Sequence, residues 1–237
     1  MLALLDHRAP LQAEHSLRAH GYKVLHLPSH PELPAPVSAH ADMLLFFAPT
    51  EILSTKSYFE IAKELLLEIA ETAKKPLHLI EEELGDTYPK DVPFNAALMG
   101  ERLFCNPKTV ANRIRISLMN EKSVLVKQGY TKCSILPVGE NALITEDDAI
   151  ASLAREKEFD VLQIEKGSVS LPGYDTGFLG GAASFAPYEK VKEIFFCGDL
   201  CRHPDFEKIQ AFCKKHHREA VSLGIFPLLD VGTIFLI

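Results

Sequence analysis

The chain has no apolar run approaching the roughly 20 residues that a helix needs to cross a bilayer. It opens Met1-Leu2-Ala3-Leu4-Leu5, but Asp6, His7 and Arg8 follow at once. A secretory leader puts its positive charge first and then a longer apolar stretch, so neither a membrane span nor a leader is expected. Basic residues are few: 25 Lys and Arg stand against 32 Asp and Glu, for a net charge of -7 and a pI near 5.8. Nucleic-acid surfaces need clustered cations, so no nucleic-acid partner is expected. Tryptophan is absent, which excludes nothing. The five cysteines, Cys105, Cys133, Cys197, Cys201 and Cys213, are odd in number and lack a small-scaffold spacing. Reduced thiols in a cytoplasmic protein are expected.

What is present is ordinary globular composition, 47% hydrophobic and 24% charged over 237 residues. No linker or low-complexity stretch divides the chain, so residues 1–237 read as one domain. Five segments have helical periodicity or end signals: Pro10 to His20 before Gly21, Ser57 to Ala73, Lys108 to Met119, Glu146 to Arg155 and Pro204 to His216. A short apolar strand follows each: Lys23 to Leu27, Leu77 to Ile80, Ser123 to Val126, Val161 to Ile164 and Ala220 to Leu223. Two hairpins are expected, Asn95 to Leu98 with Arg102 to Phe104 and Ser134 to Pro137 with Ala142 to Ile144, through Gly-containing turns. Pro28 to Pro36, with four prolines, reads as an ordered loop.

Five segments then look like the starts of equivalent units. They hold His40-Ala41-Asp42, Asn95-Ala96-Ala97, Lys132-Cys133-Ser134, Tyr174-Asp175-Thr176-Gly177 and Asp230-Val231-Gly232, and Asp42, Asn95, Cys133, Asp175 and Asp230 are spaced by 53, 38, 42 and 55 residues. Such self-similarity marks a repeat architecture, with function where equivalent positions meet. The strand count balances only if Leu2 to Leu5 pairs with Asp230 to Ile237. The fold class is then α/β, a closed ring of five strand-strand-helix-strand units completed by the two termini.

At the unit starts, His40 and Asp42 lie two apart, and on a strand both would point to one face. Asp175 sits in the glycine-rich Leu171 to Ala183, where Gly177 and its neighbours allow close backbone approach to a ligand. That stretch is not a dinucleotide fingerprint, because no strand-to-helix passage follows and the glycine spacing is wrong. No cofactor is expected. Cys133 is the only cysteine at a unit start. It reads as a buried small hydrophobe or as a nucleophile whose thiol pKa the adjacent Lys132 lowers. Cys197, Cys201, His203 and Cys213, with His216 and His217, resemble a metal cluster, but the spacing is looser than structural zinc sites use. No metal is expected there.

Five such units look like the pentein fold, the α/β propeller of arginine deiminase, dimethylarginine hydrolase, agmatine deiminase and some non-enzymatic members. The resemblance rests on the unit count and topology over the whole chain. It implies a cysteine in the last unit attacking a guanidinium carbon, a His shuttling protons and carboxylates holding the nitrogens. Here the last unit, Leu228 to Ile237, has no cysteine, and Thr233 to Phe235 stand near its place. The resemblance therefore implies a small-molecule-binding protein. Its acidic central pocket of Asp42, Asn95, Asp175 and Asp230, with Gly177 beside it and His40 at the rim, would take a guanidinium or amine. Three converging carboxylates would repel one another until a cation entered. The alternatives are a hydrolase or amidinotransferase-like enzyme using Cys133 and His40, and a non-catalytic scaffold.

Overall fold

The computed structural model describes residues 1–186 and 191–237. Its strands are short and fall into groups, all but the last of which share one order: an antiparallel pair, a helix, and a third strand parallel to the second. The first group is β1 (Leu2–Asp6), α1 (Leu11–Ala19) and β2 (Lys23–Leu27). The second opens with a helical turn, α2 (Ala41–Leu44), and continues with β3 (Phe46–Phe47), β4 (Ile52–Thr55), α3 (Lys56–Ala73) and β5 (Leu77–Ile80). Then come β6 (Ala97–Met99), β7 (Arg102–Cys105), α4 (Asn112–Leu118) and β8 (Val124–Leu125), followed by β9 (Ile135–Gly139), β10 (Ala142–Thr145), α5 (Asp148–Glu156) and β11 (Asp160–Gln163). The last group has β12 (Ser184–Phe185), β13 (Glu193–Phe196), α6 (Phe206–Lys215) and β14 (Glu219–Ser222), and the chain finishes with β15 (Ile234–Leu236).

The two ends of the chain pair, as the strand count requires. β15 runs antiparallel to β1 with Ala3 opposite Leu236 and Leu4 opposite Phe235, while β2 is parallel on the other side. The pairing is shorter than expected, because Asp230 to Thr233 forms a turn rather than strand. The same hairpin-plus-parallel order holds for β3-β4-β5, β6-β7-β8 and β9-β10-β11. In the last group β13 pairs with β14, and β12 lies beside β15, with a single bridge from Ala183 to Phe196.

Burial explains these strands. β1, β4 and β10 are buried along their whole length, as a strand covered on both faces must be. The third strands β5, β11 and β14 are largely part-exposed. Five hydrophobic clusters lie between successive groups. Leu4 and Leu27 pack with Ile52 and Leu66, Leu53 with Leu103 and Ile114, Phe104 with Leu143 and Ile150, and Ile144 with Ile194 and Ile209. The fifth joins Phe195 and Leu223 to Ala3, Leu5 and Leu17 of the first group.

Three expectations need correction. Lys108 to Ala111 is not helical: Asn106 accepts from the Lys108 N–H at 3.0 Å through its side chain and from Val110 through its carbonyl, so a turn precedes α4. Helix α5 starts at Asp148 because Asp147 caps it, accepting from Ala149 and Ile150 N–H at 2.8 and 2.9 Å. His40 and Asp42 are not on a strand. His40 is extended and Ala41–Leu44 is one helical turn, closed by Leu45 N–H to Ala41 C=O at 2.9 Å.

Candidate functional site

The starts of β3, β6, β9 and β15 face the interior and bring Asp42, Asn95, Lys132, Cys133 and Thr233 into one buried cluster. Asp42 is 1% exposed and comes from the first turn of α2. Its Oδ2 accepts from Thr233 Oγ1 at 2.8 Å and from Cys133 Sγ at 3.2 Å. Its Oδ1 is buried with no hydrogen-bond partner among the described residues. Lys132 Nζ donates to Thr233 Oγ1 at 3.0 Å and to Gly180 C=O at 3.4 Å, under the Phe185 ring at 5.3 Å. An ammonium thus sits one hydroxyl away from the Asp42 carboxylate. The hydroxyl has one proton, which serves Asp42 in preference to the Gly180 carbonyl at 3.1 Å.

Thr233 has φ +67°, a conformation that β-branched residues rarely adopt. Its N–H is held by Gly181 C=O at 2.8 Å, and its side chain is fully buried. Strain of this kind persists where surrounding contacts determine it, and it concentrates at functional sites. The backbone before β12 must lie very close to the cluster. A Cβ on Gly180 would stand 2.4 Å from the Ile135 carbonyl, and one on Gly181 would stand 2.1 Å from Asp230 Oδ1.

Asn95 fixes the approach to β9. Its Oδ1 accepts from Lys132 N–H at 2.7 Å and Cys133 N–H at 3.2 Å, and its Nδ2 donates to Cys133 Sγ at 3.0 Å and Met43 Sδ at 3.5 Å. Its amide is spent inside the protein. Asp230 is also buried, with Oδ2 accepting from Phe178 N–H at 2.9 Å and Oδ1 from Gly232 N–H at 3.0 Å. Burial raises its carboxyl pKa, His40 opposes this, and Asp42 adds to it. His40 stands between two carboxylates, 3.8 Å from Asp230 Oδ1 through Nδ1 and 3.8 Å from Asp6 Oδ2 through Nε2. These separations give electrostatic contact without a hydrogen bond. Asp6 is held in turn by Arg8, whose Nε and Nη2 donate at 2.9 and 2.6 Å.

Of the residues singled out in the sequence, His40, Asp42, Asn95, Cys133 and Asp230 come together. Gly177 joins them, packed against Asp230 so that a Cβ would stand 2.6 Å from the Asp230 Cβ. Asp175 does not join them. Gly177 N–H and Thr176 Oγ1 both bond to Val169 C=O, which closes a loop and turns Tyr174 and Asp175 out to solvent. Cys133 is buried, as the first of its two readings expects, and its thiol is not lowered as the second requires. Burial is the largest effect on its thiol, Asp42 and Asp230 add to it, and together they hold the thiol well above the ordinary range despite the adjacent Lys132. Burial likewise lowers the Lys132 ammonium, against the pull of Asp42.

The sequence reading underrated Lys132 and Thr233 and missed Gly180 and Asp6. The available signal was a lone lysine flanked by Thr131, Cys133 and Ser134, with no charged neighbour to mark a solvated face. Cys197 and Cys213 are buried in two hydrophobic clusters, while Cys201 is exposed. Among the described residues no group of three or more His, Cys, Asp or Glu is arranged to hold a metal ion. Among them, too, no helix is long and apolar enough to cross a membrane.

A profile for a family of unknown function, DUF6873, matches residues 4–235. No curated protein matches the chain. Solved structures do. A dimethylarginine dimethylaminohydrolase adduct with S-methyl-L-thiocitrulline superposes with TM-score 0.58 at 11% identity, covering 93% of this chain and 91% of that one. The dimethylarginine dimethylaminohydrolase of Pseudomonas aeruginosa complexed with citrulline gives 0.57 at 10% identity, covering 93% and 90%. The C. jejuni agmatine deiminase gives 0.57 at 9% identity, covering 94% and 86%. The mixed α/β fold therefore matches that of the dimethylarginine dimethylaminohydrolase and agmatine deiminase structures.

Proposed function

We propose that this chain, which belongs to the DUF6873 family, is a small-molecule-binding protein that takes a guanidinium or amine at Asp42 and Asp230. One observation carries the reading: at the convergence of the strand starts, Asp42 keeps a buried carboxylate oxygen that no group among the described residues satisfies. Buried acceptors without partners are rare and costly. A planar cation with several N–H donors supplies what that oxygen lacks. In this reading Thr233 stands where the last unit of the related enzymes carries its nucleophile, so binding proceeds without attack from that position. Lys132 is the cation that faces Asp42 across the Thr233 hydroxyl, and a ligand must displace its ammonium. The five strand groups form a five-fold pseudo-symmetric propeller, a single domain closed by the two termini. The clusters that join each group to the next, the last returning to the first, support this arrangement. Five free cysteines accord with a reducing, cytoplasmic setting.

A second reading has support from the Asn95 Nδ2 donor on Cys133 Sγ at 3.0 Å. Such a bond favours a thiolate, and a hydrolase or amidinotransferase-like reaction on a guanidino compound would use Cys133 with His40. Calorimetric titration with methylguanidinium, butylammonium and neutral methylurea tests both. Saturable binding of the cations, absent for methylurea and lost in Asp42→Asn, is the expected result. Release of ammonia or amine that stops in Cys133→Ser would replace the binding reading with the enzymatic one. Failure of every cation to bind would overturn both.

A further inference from the structure

A cavity of about 340 Å³ lies at the other end of the same strands, among the hairpin turns. Its walls are largely apolar, with Phe47, Leu98, Met99, Val138 and Phe185 contributing. Beneath it lies a separate small void lined by Phe46, Phe94, Phe235 and Lys132, which shares Phe47, Leu98 and Phe185 with the cavity wall. The cavity therefore stands above the Lys132 ammonium, while the Asp42 layer lies below.

Among the polar groups at this cavity, Arg218 is distinctive. It follows α6 and precedes β14, and it lines the cavity with its guanidinium half-buried. Its Nε–H is buried with no acceptor among the described residues. Burial is also the main influence on its acidity, lowering the pKa below the usual arginine value, yet a guanidinium remains charged at any physiological pH. Lys75, also at the cavity, donates to Ala48 C=O at 2.6 Å, and among the described residues Glu140 is the one acid lining it. A desolvated cation with an unused donor, set beside an aromatic and aliphatic wall, selects an anion attached to an apolar body. A carboxylate matches the planar fork of arginine through two parallel hydrogen bonds. A phosphate dianion would bring twice the charge against walls that are largely aliphatic and aromatic, so a monocarboxylate fits better.

We propose that this cavity is a binding site for a small monocarboxylate with an apolar body, anchored by Arg218. The ligand lies against Phe47, Leu98 and Phe185 with its carboxylate on the guanidinium. The site stands independently of the cation site: it is at the opposite end of the strands and takes a ligand of opposite charge.

The test uses the intact chain with its four methionine methyl groups isotopically labelled, observed by NMR during titration with hexanoate, hexanol and hexylammonium. The methyl of Met99, in the cavity wall, is expected to shift saturably with hexanoate, while that of Met43, in the Asp42 layer, stays in place. Hexanol should bind at least about tenfold more weakly and hexylammonium not at all, as loss of a charge-assisted pair implies. Arg218→Gln should weaken hexanoate by a similar factor. The proposal is overturned if Met99 does not respond, if hexanol matches hexanoate, or if Arg218→Gln binds hexanoate as the parent does. If Arg218→Gln fails to fold, the ranking of the three probes on the parent chain and the Met99 response decide the matter.

Discussion

Lys132 offers the sharpest test of how the buried cluster is held. Its ammonium is fully enclosed and bonds Thr233 Oγ1 at 3.0 Å, and that hydroxyl bonds Asp42 at 2.8 Å. Lys132→Met keeps length and removes charge, leaving Asp42 with no cation across the hydroxyl. Removing one partner of a buried charge pair costs about 3–5 kcal/mol. For a chain of this size that is a fall in Tm of roughly 6–20 °C. Urea titration gives the free energy directly. Adding Asp42→Asn to Lys132→Met should recover most of the loss, because the two residues are coupled and their effects cannot add. The pH profile supplies a second, signed readout. Burial lowers the Lys132 pKa from its ordinary 10.5. Between that lowered value and 10.5 the unfolded chain binds a proton that the folded chain does not, so this group makes stability rise with pH. The stability of the parent relative to Lys132→Met should therefore increase across that window. A single variant losing less than about 1 kcal/mol, well short of a broken buried pair, with no recovery in the double variant, would refute the coupling of Lys132 to Asp42.

Two further outcomes follow from burial. Thiol titration of the folded chain at pH 8 should modify Cys201 rapidly and leave Cys105, Cys133, Cys197 and Cys213 until the protein is denatured, since four of the five are buried and burial raises the Cys133 thiol well above its usual value; fast loss of Cys133 in the native state would contradict the closed cluster. Gly181→Ala should destabilise by about 3 kcal/mol or more because its new Cβ would stand 2.1 Å from Asp230 Oδ1, whereas Asp175→Asn, at an exposed loop tip, should change stability by less than about 0.5 kcal/mol. Urea midpoints of equal size for the two variants would mean that the glycine stretch does not press on Asp230.

Much of the fold was legible because it is written in local chemistry. Gly21 with φ +86° ends α1, the apolar spacing of Phe59, Ile61, Ala62, Leu65, Leu66 and Ile69 places α3 although Ile61 turns out to be exposed, and the unpaired apolar ends demanded each other. The site was legible where residues stand immediately before a strand, as Asn95 and Cys133 do. It was misread where a loop intervenes. Asp175 shares its spacing with the other unit starts, yet β12 begins only at Ser184, and the residues that enter the cluster are Gly180 and Gly181. Glycine has no side chain to announce a role in binding or charge, so the contribution of its backbone appears only in three dimensions. Lys132 was misjudged for another reason. Its sequence neighbour is Cys133, but its long side chain carries the charge to Thr233, 101 residues away.

The five hydrophobic clusters have a consequence for how the molecule comes apart. Each is built from two successive strand groups, so none of the groups owns a core of its own. Linear repeat arrays have end modules whose outer flank must be polar, and they can fray inward from there. Here the cluster of Ala3, Leu5 and Leu17 with Phe195 and Leu223 leaves the first group no such free flank. Opening any one group strips apolar cover from two neighbours at once. Amide exchange should then show similar protection in β1, β4, β7, β10 and β13, and loss through one concerted opening rather than a progression from either end.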